Sequence, residues 1–380
     1  MRTALYQYQD GQWQTHPQRS AVDEGKTDLV LCFGGRDTLT GLPVYDLLRK
    51  KFPEAVIAIC STAGEIYHTE VSDNGFTATA IEFADTVIKP QQVYIKDYEN
   101  SFDAGKALIN QFDQKDLSYV LVLSDGSGVN GSELVRGINS ITNEKILVTG
   151  GLAGDGARFE ATVVGLNGEP EQGLIAGIGF YGKKLKIGHG SKGGWEMFGL
   201  ERLVTKSEAN VLYEMDDKNA LDLYKRYLGP DADGLPGTAL LYPLAVTLSG
   251  NTEPIVRTIL SVDHEAGSMT FAGDIPKGAK VRFMRANFDK LTAAASLAAT
   301  ETQPASESAP DFALLISCVG RKMILGSRTE DEVDAVDEIF GRKTLLSGFY
   351  SYGEISPLIR GKGCQLHNQT MTITTFNERE

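Results

Sequence analysis

The sequence LVLCF at residues 29–33 runs into the polar turn GGRD at residues 34–37, and this passage decides the fold. Five consecutive apolar residues are typical of a strand that is buried on both faces. After a helical pattern, AVIAIC at residues 55–60 predicts a second strand, which leads into STAGEI at residues 61–66. FTATAIEF at residues 76–83 then alternates as a half-buried strand does. Strand, turn, helix and strand in this order predict a parallel crossover.

The same order of elements occurs twice more along the chain, so we predict three copies of one unit. In every copy the second strand leads into a glycine followed by an acidic residue. Thr329 and Glu332 have capping-box spacing and predict the start of a helix in the third copy. The second copy comprises VLVL (120–123), SDG, a helix, KILVT, GGLAGD (150–155) and FEATVVGL (159–166), and the third comprises ALLIS (313–317), CVGR, a helix, FYSYGE (349–354) and QLHNQTMTITTF (365–376).

The turns of the three copies are candidate ligand contacts, because small ligands bind outside the carboxyl ends of parallel strands. The alternative for each acid is structural: the carboxylate caps backbone N–H groups, while the glycine permits a backbone geometry that a side chain forbids. The predicted site comprises Gly35, Arg36, Ser61, Thr62, Gly64, Glu65, Asp125, Gly154, Asp155, Arg321, Tyr352, Gly353 and Glu354.

The region between the second and third copies has a different pattern. Asn219 precedes a predicted helix, ALDLYKRYL, and alternating segments with turns near residues 263–267 and 275–278 predict a meander of hairpins. ETQPASESAP at residues 301–310 has the composition of a mobile linker. The fold class is therefore an α/β N-terminal domain joined to an α+β C-terminal domain.

Composition and charge exclude several functions. The net charge of −13 opposes binding to a phosphate backbone, so nucleic acid is not an expected partner. No segment has the roughly 18 uninterrupted apolar residues that span a bilayer, and no signal peptide precedes the first strand, so we expect a cytoplasmic protein that does not bind membranes. The four cysteines have no Cys-x-x-Cys spacing and are expected to be reduced thiols.

No catalytic motif is present, and we expect a protein that is not an enzyme. The sequence lacks G-x-S-x-G, H-E-x-x-H and a Walker-type glycine loop. Paired carboxylates, or Cys60 and Ser61 as nucleophiles, remain candidates by residue type alone.

Several phrases in this chain resemble the FIST family, which implies a domain order. A leader would occupy residues 1–27, a FIST N-terminal ligand-sensing domain residues 28–215, and a FIST C-terminal domain residues 216–376. The phrases are CSTAGEI (60–66), GGLAGD (150–155), VTKSEANVLYEMDDKNALDLYKRYLG (204–229), GFYSYGEISP (348–357) and LHNQTMTITTF (366–376).

The resemblance implies an intracellular sensor of a small ligand that acts on a separate signalling protein, and it leaves a homo-oligomer open. Similar stand-alone members bind haem, sense nitric oxide and control a histidine kinase. For such a haem, b-type because Cys-x-x-Cys-His is missing, we predict His189 as the iron ligand and His367 as the second candidate.

Other members of the family are proposed to sense amino acids, and the sequence leaves this alternative open. Arg36 or Arg321 would then bind a carboxylate, because a guanidinium matches its planar geometry. Glu65 or Glu354 would bind the ammonium group.

Overall fold

The computed structural model describes residues 1–17, 22–73, 75–143, 145–248, 254–302, 309–359 and 361–378. Up to residue 94 the elements are β1 (Arg2–Gln9), β2 (Gln12–Thr15), β3 (Leu29–Gly35), α1 (Arg36–Gly41), α2 (Val44–Lys51), β4 (Val56–Thr62), β5 (Glu65–Tyr67), β6 (Glu70–Ser72), β7 (Phe76–Glu82) and β8 (Val87–Tyr94). The next are α3 (Ser101–Asn110), β9 (Leu117–Ser124), α4 (Gly131–Thr142), β10 (Leu147–Leu152), β11 (Val164–Leu166), β12 (Leu174–Tyr181) and β13 (Leu185–Lys192).

The middle of the chain contains β14 (Glu196–Glu208), β15 (Val211–Met215), β16 (Lys218–Asn219), α5 (Ala220–Leu228), β17 (Leu244–Thr247), β18 (Ile255–Arg257), β19 (Ile259–Asp263), β20 (Ser268–Phe271) and β21 (Lys280–Arg285). The last part contains α6 (Phe288–Glu301), β22 (Phe312–Cys318), α7 (Val319–Leu325), α8 (Thr329–Ile339), β23 (Leu345–Ser351), β24 (Gly353–Pro357), β25 (Cys364–His367) and β26 (Met371–Glu378).

The described strands form three six-stranded sheets and one meander sheet, and this confirms the mixed α/β fold. The first sheet has the order β11-β4-β3-β7-β1-β2, the second β25-β24-β10-β9-β12-β8, and the third β13-β26-β22-β23-β5-β6. Each contains one parallel pair, namely β3 with β4, β9 with β10, and β22 with β23. These are the crossovers predicted from the sequence, so the polar turns after them lie at the carboxyl ends of the strands.

A short strand after each parallel pair joins a neighbouring sheet. The strand β5 follows β4 but pairs with β23, β24 follows β23 but pairs with β10, and β11 follows β10 but pairs with β4. The three sheets therefore exchange strands in a closed cycle. The Gly-acid turns occupy the junctions at which the chain leaves one sheet for the next.

Aromatic rings join the three sheets at the centre of the molecule. Phe33 of the first sheet stacks on Phe349 of the third with 4.8 Å between ring centroids. Tyr119 of the second sheet lies 4.9 Å from Phe180 and 5.8 Å from Phe376. All five rings are buried. Such pairs contribute about 0.5–1.5 kcal/mol each beyond the burial of their area, so this centre fixes how the sheets meet.

The prediction for the third strand of the second copy is wrong. Only Val164–Leu166 of the segment 159–166 is a strand, and it belongs to the first sheet; the strand beside β9 is β12. Residues 155–161 curl around the Asp155 carboxylate, which accepts hydrogen bonds from the backbone N–H groups of residues 159, 160 and 161. Backbone N–H groups that bond to a carboxylate cannot also form the hydrogen bonds between the strands of a sheet.

The predicted capping box does not form. Helix α8 begins at Thr329, but Glu332 is fully buried and bonds to Arg321 instead of the helix start. Burying an arginine without a carboxylate is costly, and this need outweighs the contribution of a cap.

The meander is present as an eight-stranded sheet with α5, which follows Asn219 as predicted and has this residue as its N-cap. The sheet extends on both sides of residue 216, while β1 and β2, within the predicted leader, complete the first sheet. The predicted linker at residues 301–310 lies mostly outside the described residues; Glu301 ends α6 and Thr302 is buried. Within the described ranges, no helix is long and apolar enough to cross a membrane.

Candidate functional site

A cavity of about 450 Å³ opens at the carboxyl ends of β3 and β4. The turn after β10 and the helix α7 close its other sides, so the cavity lies where the first and third sheets exchange strands. We call it the charged cavity. The charged residues that line it are Arg36, Asp37, Glu65, Asp73, Asp155, Arg158 and Lys322.

Arg36 begins α1 at the end of β3 and is the central cation of the charged cavity. Its Nη1 lies 3.1 Å from Asp155 Oδ2 and 3.3 Å from the carbonyl oxygen of Ala161. A second acid, Glu160, lies 3.7 Å from Nη2. The side chain keeps 19 % of its exposure, so a ligand can reach a guanidinium that the protein already orients.

Lys322 supplies a second cation from the opposite wall. Its Nζ donates to the carbonyl oxygen of Ala63 at 2.9 Å and contacts Asp73. The ammonium also lies beside Gly64, whose φ of +138° suits only glycine. Helix α7 of the third copy thus reaches across to the Gly-acid turn of the first copy.

Glu65 is the acid of that turn, and its side chain is fully buried in the wall of the charged cavity. Burial raises the pKa of Glu65 to about 8, with Asp73 adding to the rise; hydrogen bonds from Thr62 and Ser72 and the charge of Lys322 act in the other direction. Thr62 Oγ1 donates to Oε1 at 2.6 Å. Glu65 is therefore protonated near neutral pH, and a cation that binds beside it would favour its ionisation.

Asp155 forms the wall between this cavity and a second one. Its Oδ2 faces Arg36, while its Oδ1 accepts from the backbone N–H of Phe159 at 2.9 Å and from the hydroxyl of Tyr352. Burial and the neighbouring Asp155 carboxylate raise the pKa of the Tyr352 hydroxyl above its ordinary value. One buried carboxylate thus connects the cation of the first cavity with an aromatic ring of the second.

The second cavity, also of about 450 Å³, lies between the start of α4 and the meander sheet. The Phe159 ring stacks on Tyr352 at its edge, with 4.5 Å between centroids. We call it the aromatic cavity. Its lining includes Ser127, Asn130, Leu152, Phe159, Glu160, Asn210, Leu260, Phe271, Tyr352 and the glycines 126, 128, 131 and 273.

Four of the predicted site residues line neither cavity. Two of them accept hydrogen bonds from backbone N–H groups, and the other two are glycines in closely packed positions. Asp125 accepts from the N–H groups of Ser127 and Gly128, which shapes the turn before α4. Ser61 Oγ accepts from the N–H of Val163 at 2.9 Å. A Cβ on Gly154 would lie 2.9 Å from the Ala63 nitrogen, and one on Gly353 would lie 2.8 Å from the Leu366 side chain.

Arg321 and Glu354 are fully buried and also lie outside both cavities. The Arg321 guanidinium bonds to Glu332 at 2.7 Å and to the carbonyl oxygens of Gly193 and Leu291. Burial raises the pKa of Glu354 to about 8, although hydrogen bonds from Ser351 and Thr370 oppose the rise. Of the two arginines and two glutamates predicted to bind a zwitterion, Arg36 and Glu65 line the same cavity.

The two histidines predicted as haem ligands have different surroundings in the fold. His367 is buried, and its Nε2 bonds to the carbonyl oxygen of Ser356 at 2.9 Å. Burial lowers the pKa of His367 to about 4. His189 lies on β13 opposite Thr374 and is half-buried. Neither imidazole lines the charged or the aromatic cavity.

Sequence reasoning missed Lys322 and Arg158 as cavity residues. Lys322 directly follows Arg321, and consecutive residues on a helix point about 100° apart. One therefore enters the core while the other faces the cavity. The signal was the Arg-Lys pair itself, but periodicity within the seven residues of α7 does not tell which of the two cations is buried.

Comparisons with known proteins agree with the two-part sequence resemblance. The FIST N domain model matches residues 28–218, and the FIST C domain model matches residues 220–357. No curated protein sequence matches the chain significantly. Cyanuric acid hydrolase from A. caulinodans is a similar solved structure, with a TM-score of 0.37, 10 % identity, and 95 % of this chain and 92 % of that chain covered. This TM-score is too low for that protein's chemistry to bear on the present chain.

Proposed function

The chain belongs to the FIST family, whose domains bind small ligands in signalling proteins, and we propose that it senses a small zwitterion such as a free amino acid. The observation that carries the proposal is that Arg36 and Glu65 line the same cavity. A zwitterion offers one charge to each of them.

The arrangement of charges supports this ligand class. Arg36 and Arg158 present guanidinium groups that match a carboxylate. Glu65 and Asp73 lie on the opposite side beside Lys322 and provide acceptors for an ammonium group. The cations of this wall already pair with its acids, namely Arg36 with Asp155, Lys322 with Asp73 and Arg158 with Asp37, and a zwitterion can join these pairs without adding net charge to the partly buried site.

Signalling would follow from a shift between two arrangements of the protein. A ligand that binds Arg36 competes with Asp155 and Glu160 for the guanidinium, and residues 155–161 also form the edge of the aromatic cavity. Ligand binding would therefore change the segment that lines the aromatic cavity opposite residues of the meander, and a separate protein such as a histidine kinase would recognise the change. A ligand shifts this equilibrium only by its differential affinity for the two arrangements. Binding without turnover is sufficient for this role.

A haem-based response to nitric oxide is the alternative that the family resemblance implied. The position of His367 within the core, with its Nε2 bonded to Ser356, favours a structural role for this residue. We therefore favour a zwitterion over haem as the ligand.

A screen by thermal shift tests the proposal. The twenty amino acids and haem are added separately to the protein, and the best amino acid is then titrated against Arg36→Lys, which keeps the charge near Asp155 but loses the planar fork. We expect affinity to fall at least about tenfold, with no change in Arg136→Lys, an exposed arginine on α4. Haem uptake without stabilisation by any amino acid would contradict the proposal.

A further inference from the structure

The aromatic cavity has a lining chemistry that differs from the charged cavity. Glu160 is the charged residue among its described lining residues, and its carboxylate lies 3.7 Å from Arg36 on the far side of the shared wall. No described lysine or arginine lines this space. An anionic ligand would lose its hydration here without gaining a cation, so a carboxylate or phosphate does not suit the cavity.

An exposed aromatic ring stands at the edge of the cavity. Phe159 keeps 42 % of its exposure, while one side of its ring packs on the buried Tyr352 with an interplanar angle of 19°. Its φ of +56° is a left-handed conformation that is unfavourable for a bulky residue. The hydrogen bond from its N–H to Asp155 and the contact with Tyr352 hold it there. A ring fixed at this cost and left accessible is a stacking platform for a planar group.

The other residues that line the aromatic cavity provide neutral polar groups and main chain that a ligand can approach closely. Ser127 contributes a hydroxyl, and Asn210 contributes an amide whose Nδ2 is fixed by the carbonyl oxygen of Phe271 at 2.7 Å. Four lining glycines allow a ligand to approach the main chain. Apolar contacts come from Leu152, Leu260 and Phe271. Mixed apolar walls with a few neutral polar groups are typical of small-molecule sites.

We propose that the aromatic cavity is a second ligand site, which binds a small uncharged aromatic ring with hydrogen-bonding groups at its edge. The ring stacks on Phe159, and the edge bonds to the amide and hydroxyl groups of the wall. This site does not depend on the identity of the ligand in the charged cavity.

Nicotinamide and nicotinate form a matched pair of probes, because they share a ring and differ in charge. Ligand-observed NMR titration should show binding of nicotinamide and at least about tenfold weaker binding of nicotinate. Phe159→Ala should weaken nicotinamide binding by a similar factor. Phe288→Ala is the control, since Phe288 is also exposed, by 44 %, and lines neither cavity.

Circular dichroism melting of both variants establishes that each is folded before the titrations are compared. Loss of nicotinamide binding in Phe159→Ala alone supports the site. Equal binding in Phe159→Ala and Phe288→Ala, preference for nicotinate, or no binding of nicotinamide to the wild-type protein would each overturn it.

Discussion

The charged and aromatic cavities have the same volume and share a wall, yet their linings are opposite in character. The first collects cations and acids from the turns after β3, β4 and β10 and from α7, and the second collects rings, glycines and neutral polar groups beside the meander. Asp155 separates them, with Arg36 on one side and Tyr352 on the other. The difference shows that one sheet junction can present two kinds of surface, depending on which element covers it.

Removing the Asp155 carboxylate, which forms the wall shared by the two cavities, should have the largest effect on stability. Asp155→Ala leaves Arg36 without its buried partner and the backbone N–H groups of Glu160 and Ala161 without their acceptor. We expect a loss of about 3–5 kcal/mol in the free energy of unfolding, measured by urea denaturation. Asp37→Ala is the control, because this carboxylate also lines the charged cavity but its side chain is 73 % exposed. Equal small losses in both variants would mean that Asp155 is not a structural wall.

Taken per pH unit, the pH dependence of stability should be the next largest effect, because Glu65 and Glu354 both have a pKa of about 8 in the folded state and an ordinary value of 4.5. Below pH 4.5 both states keep these protons. Between pH 4.5 and 8 the unfolded chain releases them and the folded chain does not, so stability falls as pH rises. Each group contributes about 1.4 kcal/mol per pH unit. Glu65→Gln and Glu354→Gln should each reduce this slope in urea denaturation.

The pH dependence of ligand binding should distinguish Glu65 from Glu354. An ammonium group beside Glu65 promotes its ionisation, so affinity for a zwitterion should increase as pH rises towards 8. Calorimetric titration at several pH values should show that Glu65→Gln removes this dependence. Glu354→Gln should keep it, because Glu354 lies outside the charged cavity. The same pH dependence in all three proteins would place the ammonium group elsewhere.

Local patterns predicted the elements and the parallel pairs but not the strand exchange. The runs at residues 29–33 and 313–317 are strands because they are long, apolar and followed by polar turns. Periodicity says nothing about which sheet accepts a three-residue strand such as β5 or β11, because that choice depends on packing between distant segments. For the same reason the sequence predicted a strand at residues 159–166, where Asp155 holds the backbone in a loop.

Only some of the predicted site residues line a cavity, and tertiary packing is again the physical reason. Of the residues that turn position singled out, Arg36, Thr62, Gly64 and Glu65 line one cavity. Arg321 and Glu354 occupy corresponding turns, but α6 and the turn before β26 cover them, so these two side chains line neither cavity. Residues at corresponding turn positions in the sequence therefore have different surroundings in the fold. Such differences arise from tertiary packing.

The most direct test of two distinct cavities is isothermal titration calorimetry with the amino acid that stabilises the protein most. Titrations are compared for the wild-type protein, Arg36→Lys and Phe159→Ala. We predict that Arg36→Lys weakens binding at least about tenfold and that Phe159→Ala changes it less than about twofold. Loss of binding in Phe159→Ala with retention in Arg36→Lys would contradict the assignment of the zwitterion to the charged cavity.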